Sequence, residues 1–166
     1  MHRKKTQMHP RTEATLEQLR QAQWFRCVGV HDTKAAEVLS SWQEASESCG
    51  SPEWEDLCLE AANQYRQRLI ERSPQRFQEW NNIVLAIRPK VIALVREKTT
   101  PVVEANNLPA IFIHAVNWDI LHLCMEAEYA DVFPPAFFAS QAYWYVKGHF
   151  PCGWKGQFPE GKLVIY

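Results

Sequence analysis

Residues 108–130, LPAIFIHAVNWDILHLCMEAEYA, decide the fold. The stretch is apolar nearly all round, and a helix with no polar face has to lie in the middle of a bundle. It approaches membrane-spanning length, but His114, Asp119 and His122 interrupt it. The apolar run over 83–95 is likewise broken by Arg88 and Lys90. Both therefore read as core helices and not as membrane spans. Asn106-Asn107-Leu108-Pro109 marks a break and restart before the central helix, and Phe133-Pro134-Pro135 ends it.

Upstream, Ser51-Pro52-Glu53 is a strong helix start. Serine caps the free amides, proline occupies a position where its missing N–H costs nothing, and glutamate meets the positive end of the dipole. Trp54, Leu57, Cys58, Ala61, Tyr65 and Leu69 follow at helical spacing. Ser73-Pro74 repeats the start signal, with Phe77, Trp80 and Val84 as the next buried stripe. Pro89 kinks this helix or begins a new one, because it cannot continue the hydrogen-bond ladder. A further helix is expected from Asp32 or Thr33, with Val38, Leu39, Trp42 and Ala45 on one face and Gly50 as its stop. The first helix is expected over 13–23. Between these two, Trp24-Phe25-Arg26-Cys27-Val28-Gly29-Val30 is aromatic and β-branched and reads as a short strand.

Downstream, 136–145 reads as helix. The segment from Gly148 to Gly156 has no period and reads as a folded loop. Phe158-Pro159-Glu160-Gly161 is a turn signal. Lys162-Leu163-Val164-Ile165-Tyr166 then reads as a strand that needs a partner. The expected fold is mainly α, or α+β with a small sheet: a bundle of about five to seven helices. Its small antiparallel β element joins residues 24–30 to the C-terminal strand. Residues 12–166 form one domain, and 1–11, with Arg3, Lys4, Lys5 and Arg11, form a flexible basic tail.

At 166 residues the chain suits a single domain with its own core. A net charge of -1 and a pI of about 6.6 argue against a dedicated nucleic-acid binder. Five cysteines, an odd number with no C-x-x-C among them, exclude a disulfide framework and a zinc knuckle. A reducing compartment, the cytoplasm, is the expected location. No apolar run follows the basic N-terminal residues, so a secretory signal is not expected. The seven tryptophans are spread along the chain and read as core anchors.

Two constellations point to chemistry. Asp119 and His122 are three apart and Glu126 lies four further on, with His114 earlier on the same helix. Asp-x-x-His parallels the Glu-x-x-His pairs of carboxylate bundle metal sites. The competing reading is a structural polar network, and no cofactor is expected. The second constellation is the loop over 147–156, where Cys152 lies between Pro151 and Gly153 with His149 nearby. That could be a nucleophile and its base. P-loop, dinucleotide-binding and nucleophile-elbow motifs are absent. The expected function is a non-enzymatic module that binds another protein, of the immunity, antitoxin or adaptor kind. It would be anchored by Tyr143, Trp144, Tyr145 and Trp154, because interface anchors favour aromatics. The alternative is a small enzyme using Cys152 with His149, or a metal held by His114, Asp119, His122 and Glu126.

Overall fold

The computed structural model describes residues 7–25, 36–158 and 160–166. Within them the chain is mainly helical, with a small three-stranded sheet. The elements in order are α1 (Pro10–Gln21), β1 (Ala36–Val38), α2 (Trp42–Cys49), α3 (Pro52–Arg72), α4 (Pro74–Phe77), α5 (Trp80–Asn106), α6 (Ala110–Glu128), α7 (Phe137–Val146), β2 (Pro151–Lys155) and β3 (Lys162–Ile165). No helix among the described residues is long and apolar enough to cross a membrane.

The apolar stretch over 108–130 is the central helix, α6. It packs against α1, α2, α3, α5 and α7, and Phe112, Val116, Ile120 and Cys124 are wholly buried along it. Its start follows a left-handed Asn107, whose short polar side chain tolerates that conformation and closes α5. α5 runs unbroken through Pro89 and Pro101, so neither proline starts a new helix. Both lie on the exposed side. The opposite side, from Trp80 through Ile83, Ile87, Val91 and Leu94, is buried and holds the helix together by packing.

Ser51 caps α3 as expected, its hydroxyl accepting the Trp54 N–H at 3.3 Å. Ser73-Pro74 starts only the single turn of α4, and Gln78 and Glu79 form a turn before α5 begins. The helix expected from residue 33 begins at Trp42. Ala36–Val38 pair instead with the C-terminal strand, and Ser41, whose hydroxyl accepts from the Glu44 N–H, supplies the cap. Asp32 and Thr33 lie outside the described residues.

The sheet is mixed and has the order β1-β3-β2. β3 runs parallel to β1 and antiparallel to β2. It is therefore Ala36–Val38, and not residues 24–30, that flanks the C-terminal strand. Trp24 and Phe25 lie in a turn, and residues 26–30 are outside the described set. The segment read as a loop after Gly148 is in fact an edge strand. Its signal is masked by Pro151, which is tolerated at the first position of an edge, and by Gly153. A Cβ on Gly153 would lie 2.4 Å from the Ser48 hydroxyl and 3.3 Å from Val164 Cβ. The bare backbone there lets α2 lie against the sheet, where Ser48 donates to the Cys152 carbonyl at 2.8 Å. The tail expected over 1–11 also ends earlier. Met8 is buried, and Pro10 and Arg11 belong to α1.

Three acids at the end of α6 tie other helices to it. Glu126 accepts the backbone N–H groups of Ala136, Phe138 and Ala139 at 2.6, 3.0 and 2.9 Å, capping α7, which has no cap of its own. Glu128 accepts from the His9 N–H at 2.9 Å and from the Thr12 hydroxyl at the start of α1. Asp131, just beyond α6, pairs with Arg11 of α1 and Arg76 of α4.

Two outcomes follow. Glu126→Ala removes the acceptor for the first turn of α7 and lowers stability by about 2 kcal/mol in urea denaturation, while Glu126→Gln loses less. Gly153→Ala displaces the Ser48 hydroxyl from the Cys152 carbonyl and costs about 1 kcal/mol, read as a lower Tm.

Candidate functional site

A cavity of about 170 Å³ opens between the end of α2, the first turns of α3 and the first half of α6. It exists because small residues face each other there. Cys49 and Gly50 come from α2 and its end, Cys58 from α3 and Ala115 from α6. Larger side chains stand round them. Trp54 is buried in the wall, and Leu59, Ile111, His114 and Trp118 form an exposed rim. Helical spacing explains the set. Trp54 and Cys58 are four apart on α3, and Ile111, Ala115 and Trp118 recur at four and three on α6.

Asp119 lines this cavity at its buried side and is only 3% exposed. Its Oδ1 lies 4.0 Å from the Cys58 thiol, a weak donor, and its Oδ2 has no hydrogen-bond partner among the described residues. Burial pushes its pKa well above the usual carboxylate range. The groups around it respond in the same direction. Burial, reinforced by Asp119, raises the Cys49 thiol to about 12 and the Cys58 thiol further. Tyr145 is fully buried, and its phenol is pushed up by burial, by Asp119 and by the neighbouring thiols. An acid in a cavity whose proton affinity is set by desolvation is a feature that marks functional sites. Most buried polar groups are paired, so this carboxyl needs an explanation.

The four residues considered as metal ligands do not converge. His114 stands on the rim and Asp119 faces the cavity. His122 lies tilted between the rings of Trp118 at 4.1 Å and Phe138 at 5.2 Å, with Nδ1 2.9 Å from the Trp118 carbonyl. Burial lowers its pKa, keeping the imidazole neutral. Glu126 is committed to the α7 amides. No group of three or more His, Cys, Asp or Glu among the described residues is arranged to hold a metal.

Cys152 is sealed in β2, with its thiol directed at the Val164 carbonyl 3.6 Å away. Burial, with Cys49 close by, pushes the thiol pKa upward. That is the environment of a structural thiol and not of a reactive one. His149 is buried, edge-on to Trp144 at 5.6 Å. The four aromatics considered as anchors are also divided. Tyr143 is 56% exposed, Trp144 and Trp154 are half-buried, and Tyr145 is in the core. Tyr143 and Trp144 meet edge to face at 5.0 Å, whereas Trp154 packs against Phe137 and Phe158.

Asp119 thus belongs to a site that the sequence did not assemble. Its partners Trp54, Cys58, Leu59 and Ile111 were visible only as helix-face residues. The one available signal was the pairing of tryptophans with small residues at helical spacing. No protein-family model, curated protein or solved structure matches this chain.

The raised pKa of Asp119 fixes the sign of a stability effect. The folded state holds the Asp119 proton where the unfolded chain has released it. Stability is therefore greatest below the ordinary carboxylate pKa and falls as pH rises above it. Asp119→Asn removes that dependence. At neutral pH the variant melts higher than the wild type, and the gap closes as pH falls toward the ordinary carboxylate range.

Proposed function

We propose that this chain is a non-enzymatic module that docks onto another protein through the face around the Asp119 cavity. The observation that carries the reading is the rim. Leu59, Ile111 and Trp118 are 45%, 47% and 36% exposed and stand together round one opening. Single exposed apolar side chains are ordinary, but several grouped round a concavity, with tryptophan among them, form the kind of anchor that interfaces use. Of the four anchors expected on and after α7, Tyr145 is in the core and Trp154 packs on its neighbours, while Tyr143 and Trp144 keep exposed surface outside this rim. Protonated, buried thiols at Cys49, Cys58 and Cys152 favour a binding role over nucleophilic chemistry. They also suit a reducing compartment, and the cytoplasm is the location we propose. An immunity, antitoxin or adaptor role fits such a module.

A small enzyme is the second reading, and Asp119 is the observation in its favour. A carboxyl whose proton affinity burial raises can act as a general acid, with His114 at the rim as a base. The wall, built largely from Trp54, Leu59, Ile111, Ala115 and Trp118, is better suited to docking than to holding a polar substrate.

The test uses Leu59→Asp with Ile111→Asp. Both side chains are exposed, so stability should change by no more than about 0.5 kcal/mol per site. Wild type and double variant are used as bait in the native cell, and the recovered partner is then purified and titrated against each. The expected result is a stoichiometric partner whose affinity drops by about 30-fold or more in the variant. A partner bound equally well by both proteins rejects this face, and turnover of a substrate lost with Asp119→Asn would favour the enzyme.

A further inference from the structure

We propose that the cavity receives a lysine side chain of the partner protein, whose ammonium pairs with the Asp119 carboxylate at the buried end. This inference rests on the docking reading and names the partner's anchor. Three features of the cavity point to a cation on an aliphatic stem. Its lining contains two acids, Glu55 and Asp119, and no lysine or arginine. Trp54 and Trp118 stand in its walls, and the faces of such rings attract an ammonium group. Asp119 Oδ2 has no donor among the described residues, although the residue is almost wholly buried.

Size agrees with this occupant. An apolar cavity of roughly 150 Å³ holds a benzene-sized molecule, and the space here is about 170 Å³. A butylammonium group, the lysine side chain itself, is no larger. Leu59, Ile111 and Ala115 offer apolar surface to its methylenes, as lysine stems commonly find. A compact ammonium also suits a single carboxylate oxygen, whereas arginine presents a five-donor fork that one oxygen leaves mostly unpaired.

Pairing draws on the ionised form of Asp119, whose proton affinity burial raises, so binding favours proton release while the lysine stays charged throughout. The titratable groups facing Asp119 are Cys49 from α2, Glu55 and Cys58 from α3, His114 from α6, Tyr145 from α7 and Cys152 from β2. The thiols and the phenol are held protonated by burial. A proton release that disappears in Asp119→Asn is that of Asp119.

The experiment titrates n-butylammonium chloride into the full chain, following the indole N–H resonances of Trp54 and Trp118. Calorimetry in two buffers of different ionisation enthalpy counts protons. Saturable shifts at both indoles, net proton release, and a loss of about 30-fold or more in Asp119→Asn are expected. The neutral isostere 1-butanol should bind far more weakly. Equal binding of butanol, tighter binding of n-propylguanidinium, or undiminished binding by Asp119→Asn overturns the proposal. A second arm uses the purified partner. If Leu59→Asp with Ile111→Asp abolishes the complex but Asp119→Asn does not, the docking face stands and the lysine anchor falls. That result combined with butylammonium binding would identify a free amine as the ligand. If the double variant keeps the complex, the docking reading itself fails.

Discussion

The burial of α6 along most of its surface is the constraint from which the rest of the structure follows. With α1, α2, α3, α5 and α7 packed round it, α6 leaves only the strip of Ala110, Ile111, His114 and Trp118 exposed, and its acids lie on the buried side. Each acid on it must therefore find a partner inside the protein or be neutralised by a proton. At the end of α6 the partners are the N-terminal turns of other helices. Glu126 takes three amides at the start of α7, and Glu128 takes the His9 amide and the Thr12 hydroxyl at the start of α1. A carboxylate is poorly placed at the C-terminal end of its own helix, where the dipole is negative. The convergence of two helix N-termini on that end reverses the local field, and the acids become the pins of the bundle.

Asp119, two turns earlier, is the exception to this arrangement. No helix amide or basic side chain among the described residues hydrogen-bonds to it; it has only a weak thiol donor and a cavity. Desolvation is the one cause of its raised proton affinity. Such a group costs stability, and proteins carry that kind of local inconsistency where they bind or react. The cavity and the acid arise from one packing choice. Cys49, Gly50, Cys58 and Ala115 are too small to fill the gap between α3 and α6, so Asp119 has an empty space beside it in place of a packed wall.

The helical body was legible because its signals are local. The apolar girth of 108–130, the Ser51-Pro52 start and the Asn107 break each act within a few residues, and each appears where it was read. The sheet was only half legible. The strand character of 162–165 was plain, but its neighbours Ala36–Val38 and Pro151–Lys155 are long-range partners. One had been read into a helix by its spacing, and the other was masked by Pro151 and Gly153. Asp119 was singled out as a buried polar residue. Its grouping with His114, His122 and Glu126 failed because residues on one helix at spacings of three and four still diverge once different neighbours pack on each side.

By itself, then, the sequence determined that α6 is central, that several capped helices surround it, and that the chain ends in a strand. All of these come from short-range capping and from periodicity that any compact structure must bury. Only the tertiary structure decided that Glu126 caps a helix, that Cys152 is sealed in a strand, and that Asp119 opens on a cavity shared with Trp54 and Trp118. Those roles depend on which surfaces meet between separate elements, from ten positions apart for Glu126 and α7 to sixty-one for Asp119 and Cys58. No local rule encodes such meetings, because they are selected by the packing of the whole core.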